Sequence, residues 1–104
     1  MPEAGTVMAP VAAGLDSFLA LDFGTRRTGV AYASRLLGQA RPLATINAHA
    51  GAQRLQMVQD RVTEWQPQAL VVGIPFHPDG GEHENTLLAR KFARSLRGRF
   101  KLPV

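Results

Sequence analysis

Phe18 to Ser34 reads FLALDFGTRRTGVAYAS. The apolar run Phe18-Leu19-Ala20-Leu21 ends in Asp22. Phe23, Gly24 and the turn Thr25-Arg26-Arg27-Thr28 follow, and a second apolar run begins after Gly29. Apolar runs separated by turn-forming residues predict strand, tight turn, strand. In the second strand Val30 and Tyr32 fall on one face and Ala31 and Ala33 on the other, and the small face lets a helix pack closely. Asp22 stands where a buried strand ends. A carboxylate there costs several kcal/mol unless a metal ion, a hydroxyl or a cation meets it. Gly24 removes a side chain beside it, so a ligand or backbone could approach. The residues alone leave two readings open: a ligand-holding carboxylate, or a turn-capping Asp beside a hairpin glycine.

Working outward, ten of the 17 residues before this stretch are Ala, Gly, Pro or Val, and the stretch shows no period. Residues 1–17 are expected to be a disordered leader and 18–104 the folded domain. Phe18–Phe23 and Thr28–Ser34 are the first two strands. Pro42–Ile46 is a shorter third, with Pro42 at its start or on an edge. Three strands in close succession predict an antiparallel meander. Ala50 to Gln66 reads as a helix, because Leu55, Val58, Val62 and Trp65 recur on one face and Pro67 stops it. Trp65 is read as a core or rim anchor. Gln68–Gly73 is nearly all apolar, as suits a strand buried on both faces, and a strand after a helix predicts a parallel crossover back beside the first strand. The loop Ile74 to Gly81 follows that strand, where α/β sheets place their sites. Glu84 to Arg97 is a second helix with Leu88, Phe92 and Leu96 four apart. Leu102-Pro103-Val104 reads as the first residues of another strand.

The length of 104 residues suits one domain with one core. With no Cys, disulfide, zinc-thiolate and thiol chemistry are excluded. No apolar run approaches the roughly 20 residues of a membrane span, and the N-terminus has no basic start with a long apolar core. A cytoplasmic protein without a membrane partner is therefore expected. The net charge is +4, but residues 18–104 hold all 12 basic residues against 6 acids, and ten of the 12 are Arg. Arginine binds phosphate in a bidentate fork that lysine lacks, so this excess fits nucleic-acid binding as well as a merely basic protein. Part of the cluster near Arg94, Arg97 and Arg99 also suits a helix C-terminus with no ligand.

The element order βββαβα, then β, resembles the ribonuclease H-like fold. More narrowly, LALDFGTRRTGVAYAS (Leu19–Ser34), ARPLATI (Ala40–Ile46) and ALVVGIPFHPDGGEHENTLLARKFARSL (Ala69–Leu96) resemble the YqgF family, also called RuvX. These are Holliday junction resolvases and pre-16S rRNA nucleases. The three motifs come in the family's order and cover nearly everything from Phe18 onward. The resemblance implies an α/β fold: a mixed sheet with flanking helices. It implies a nuclease that hydrolyses phosphodiester bonds with Mg²⁺ or Mn²⁺ held by clustered carboxylates. Asp22 matches the family's first-strand carboxylate, hence catalytic residue and metal ligand. Thr25, Arg26, Arg27, Arg94 and Arg97 are candidate nucleic-acid contacts. Gly24, Gly73, Pro75, Asp79 and Gly80 are candidate site-loop residues. His77 and His83 flank that loop and read as surface residues.

The family's pattern continues after Leu102-Pro103-Val104 into a D-E-R motif and a helix bearing a further Asp. The resemblance therefore implies a domain incomplete at its C-terminus, lacking its last strand and helix. From this follow the expectations of an uncovered sheet edge, marginal stability, a homodimer as one remedy, and little cleavage by this chain alone. Three functions compete: a nuclease acting on an rRNA precursor or branched DNA, a non-catalytic nucleic-acid-binding remnant of the fold, and an actin-like phosphate-binding half-domain. The last ranks lowest, because 104 residues leave no room for the second domain it needs.

Overall fold

The computed structural model describes residues 6–8, 14–48, 50–75 and 84–104. Its elements run β1 (Thr6–Met8), β2 (Ser17–Asp22), β3 (Arg27–Ser34), β4 (Gln39–Asn47), α1 (Gly51–Trp65), β5 (Ala69–Pro75) and α2 (Glu84–Arg99). One mixed sheet takes the order β1-β5-β2-β3-β4. The meander is antiparallel as expected, and β5 returns parallel to β2, with Phe18 opposite Ala69 and Asp22 opposite Gly73.

Burial alternates along β2: Leu19 and Leu21 are buried, Phe18 and Ala20 half-buried, Asp22 exposed. Leu19 and Leu21 share their face with Val30, Leu70 and Val72, and this face forms the core with Val58 of α1 and Phe92 and Leu96 of α2. Both helices thus cover one side. The other side carries Ala20, Ala31 and Ala33 and is less buried, because among the described residues no element lies over it. β5 comes close to the expected double burial: Ala69, Leu70 and Val72 are buried and Val71 half-buried.

Several boundaries differ from those expected of the sequence, for local reasons. β4 is the longest strand rather than a short one, at 9 residues. It pairs with β3 from the hairpin end, Gln39 opposite Ser34. Pro42 sits within it because β4 is an edge strand, where a missing N–H costs no ladder bond. α1 ends with Gln66 in the left-handed region, its N–H donating to the Val62 carbonyl over 2.8 Å. Within the expected disordered leader, Thr6–Met8 is a strand, antiparallel to β5 from Thr6–Pro75 to Met8–Gly73. A run of three residues is too short to show a period, while the outer edge of β5 offers unpaired backbone groups that it satisfies. Ser17 likewise belongs to β2. Leu102–Val104 form no strand, but the Leu70 N–H donates to the Pro103 carbonyl at 2.8 Å, so the segment does reach β5. Among the described residues no helix is long and apolar enough to cross a membrane.

Candidate active site

Asp22 is the last residue of β2 and points away from the helices. It is exposed, so the expected burial cost of its carboxylate does not arise: β2 is fully buried on the helix side only. What surrounds it laterally is glycine. Gly29 lies opposite on β3 and Gly73 on β5. A Cβ at Gly29 would stand 3.5 Å from the Asp22 Cβ. The carboxylate therefore rises between two backbone strips that carry no side chain, open to an ion or a phosphate. Gly24 was expected to let a ligand or backbone approach, and of the two it is backbone that does. It serves the turn, because a Cβ there would run into the Arg27 carbonyl.

The turn beside Asp22 is held from behind. Arg54, on the first turns of α1, is only 7% exposed. Its Nη2 donates to the carbonyls of Thr25 at 2.6 Å, Ala48 at 3.2 Å and Gly24 at 3.3 Å. Two N–H groups are shared among three acceptors. The guanidinium lies 4.8 Å from the Phe23 ring centroid and 5.9 Å from that of Phe92. Those rings, 5.3 Å apart, give it a cation–π slot. Its Nε has no hydrogen-bond partner, and burial lowers its pKa from the ordinary value. The Ala48 N–H donates to the Arg26 carbonyl at 3.0 Å, so the turn is tied to the connection between β4 and α1 twice over. Nothing in the sequence reading found Arg54. An arginine beside the apolar face of a helix carries no spacing signal, and only the approach of three carbonyls makes it structural.

The other expected site residues divide into three groups. Thr25, Arg26 and Arg27 are exposed on the turn and at the start of β3, next to Asp22. By the two-residue period Arg27 shares the face of Gly29 and Asp22. Arg94 and Arg97 are exposed on α2, on the helix side, toward the end at which the chain returns to Leu70. The structure does not bring them to Asp22. Gly73 and Pro75 belong to β5, and Gly73 borders Asp22. Asp79 and Gly80, with His77 and His83, lie outside the described residues. Trp65 is a rim anchor: it stacks on Tyr32 with centroids 5.0 Å apart, and Arg41 lies 5.7 Å above it. Behind the turn a cavity of about 320 Å³ opens between Phe23, Thr25, Arg54, Leu88 and Lys91. It lies on the helix side, away from the carboxylate.

Among the described residues no three His, Cys, Asp or Glu side chains gather as a metal site. One carboxylate gives one anchor, short of what octahedral Mg²⁺ needs, so these residues alone do not fit a catalytic ion. No metal-dependent step is assigned to them.

Known proteins resemble this chain over most of its length. A relative from Albidiferax ferrireducens, named "Putative pre-16S rRNA nuclease", is 62% identical over 94 residues, which are 90% of this chain and 60% of the relative. One of the same name from Polaromonas sp. is 60% identical over 88% of this chain and 66% of its own length. A third from Methylobacillus flagellatus, also so named, is 50% identical over all 104 residues and 67% of its own length. That last match includes the stretch that supplies β1. The chain thus spans about 60% of the length of the Albidiferax relative. The profile of the family described as "RuvX: Holliday junction resolvase" matches residues 16–104, from the start of β2 through the final Val104, and the chain belongs to the RuvX family.

Proposed function

We propose that this chain carries the first-strand half of a nuclease site that cuts the backbone of nucleic acid, with Asp22 as its catalytic carboxylate. One observation carries the reading. Asp22 stands exposed between Gly29 and Gly73, with the cationic turn Thr25-Arg26-Arg27 at its side. Such a slot admits a phosphodiester and lets arginines meet its charge. The family's description and the relatives' name supply the substrate classes, branched DNA and precursor 16S rRNA. A divalent ion, Mg²⁺ or Mn²⁺, belongs to the same proposal. Asp22 is one of its anchors, and the remaining ligands come from the length that the relatives have and this chain does not cover. A cytoplasmic location belongs to the same proposal.

The test is a cleavage assay on a precursor 16S rRNA fragment and a four-way DNA junction, with Mg²⁺ or Mn²⁺. The 104-residue chain and a chain extended to the relatives' length are compared. The extended chain cleaves, and Asp22→Asn lowers its rate by about a hundredfold or more. Full activity in the Asp22→Asn variant would sink the assignment. A second reading, nucleic-acid binding without cleavage, is favoured for the 104-residue chain alone by its single described carboxylate at the slot. Binding without cleavage by the short chain is the outcome expected there.

A further inference from the structure

The hairpin between β3 and β4 ends in Arg35-Leu36-Leu37-Gly38. Turns are ordinarily built from Gly, Asn, Asp, Ser and Pro, so two leucines have no folding reason to be here. Leu36 is 82% and Leu37 70% exposed, the two most exposed large apolar side chains among the described residues. The tip holds them outward. The Gly38 N–H, from a residue at φ 64°, donates to the Arg35 carbonyl at 3.2 Å and closes the turn. The Leu37 N–H donates to Ser34 Oγ at 3.3 Å. The Arg35 N–H donates to the Asp16 carbonyl at 2.7 Å, and its guanidinium lies 5.8 Å from the Phe18 centroid. The leucines thus sit on a turn anchored at both feet.

Two exposed arginines lie at this end of the hairpin, Arg35 over Phe18 and, on β4, Arg41 over Trp65. An apolar wedge between cations suits nucleic acid whose bases are unstacked. The leucines cover base faces, and the arginines take the neighbouring phosphates. Along β3 the tip stands roughly 20 Å from Asp22 at about 3.3 Å per residue, or some six nucleotide steps at about 3.4 Å each. We infer that Leu36 and Leu37 form a second contact for nucleic acid, a wedge that binds unstacked bases at a branch or loop. The inference rests on the nucleic-acid reading above and adds a contact site remote from Asp22.

The test uses branched DNA and an RNA hairpin, each with 2-aminopurine at an unpaired or branch position. Affinity is followed by anisotropy and unstacking by 2-aminopurine fluorescence. The wild-type chain raises the fluorescence on binding. Leu36→Ser with Leu37→Ser abolishes the rise and weakens binding to these probes about tenfold, the scale of one lost base contact, and leaves perfect duplex binding unchanged. Both side chains are exposed, so the double variant melts at the wild-type temperature. A double variant that binds and unstacks like the wild type overturns the wedge and leaves the nuclease reading standing. A wild-type chain that binds neither probe overturns the nucleic-acid reading and the wedge together. A variant that turns a dimer into a monomer, with binding unchanged, assigns the tip to self-association and also overturns the wedge.

Discussion

Arg54 donates from its Nη2 to the Thr25 carbonyl over 2.6 Å, joining α1 to a turn 29 residues earlier in the chain. Through this bond and those to Gly24 and Ala48, the helix fixes the backbone that leaves Asp22. Arg54 is buried, and the bonds of its Nη2 go to backbone carbonyls. It is a positioning residue for the turn, and its worth is measured in stability and in the order of that turn.

Arg54→Met removes the donors and leaves three carbonyls short of partners. The expected loss is about 2–4 kcal/mol, or a fall in melting temperature of roughly 10–20 °C for a domain of this size. Arg54→Lys keeps the charge without the planar fork and recovers only part of it. Thermal melts by circular dichroism decide this, and a melt unchanged in Arg54→Met would mean the shared bonds contribute nothing.

Two glycines should answer differently to alanine. Gly24→Ala sets a Cβ against the Arg27 carbonyl and forces the turn to move, at an expected cost of about 2 kcal/mol or more. Gly29→Ala places its Cβ in ordinary contact, 3.5 Å from that of Asp22, and should stabilise by up to about 1 kcal/mol. Gly29→Val then crowds the carboxylate. It should keep stability and lose cleavage in the extended chain. Denaturant melts of the alanine variants test the first pair of expectations, and cleavage assays on Gly29→Val test the last.

Salt dependence separates the two arginine groups. Binding of the 104-residue chain to nucleic acid should weaken steeply as salt rises. Arg26→Ala and Arg27→Ala, on the side of Asp22, should each reduce the log–log slope by about one. Arg94→Ala and Arg97→Ala, on the helix side, should leave it unchanged. Equal effects at all four positions would show that nucleic acid wraps both sides.

Much of this was legible in the residues. Hydrophobic period placed the three meander strands, both helices and the parallel return of β5, because each of these buries one continuous face. Asp22 was legible as the polar end of an apolar run. The strand Thr6–Met8 was not, since three residues gain their structure from the edge they join rather than from their own pattern. Gly24 was legible as a place where backbone approaches closely, and the Arg27 carbonyl is what approaches; the clearing on either side of Asp22 was not legible. Gly24 is close in sequence, but the neighbours of a strand residue lie across the ladder, and register alone reveals Gly29 and Gly73. That Arg94 and Arg97 lie on the helix side, apart from Asp22, was not legible, because charge was counted without knowing which side of the sheet α2 covers.

The outer edge of β5 gives a further expectation. Thr6–Met8 covers Gly73–Pro75, and the Pro103 carbonyl takes the Leu70 N–H. Removing residues 1–13 should expose the strip and raise self-association, visible by light scattering as a dimer or larger species at concentrations where the whole chain is monomeric. An equally monomeric shortened chain would show that the strip is protected in another way.

The same edge sets the order in which the molecule assembles. The hairpins β2–β3 and β3–β4 join near neighbours in sequence, while Thr6 meets Pro75 only after nearly the whole sheet has formed between them. Contacts of such long sequence separation close late, and a ladder of three residues has little to hold it. β1 is therefore the last piece to dock and the first to open, on a free-energy scale well below global unfolding. Gly73, which borders the catalytic candidate Asp22, is paired on one side with the central strand β2 and on the other with the three-residue β1. The backbone beside Asp22 is therefore expected to open at a lower free energy than the meander, a difference that amide hydrogen exchange at Gly73 and Leu19 reads directly.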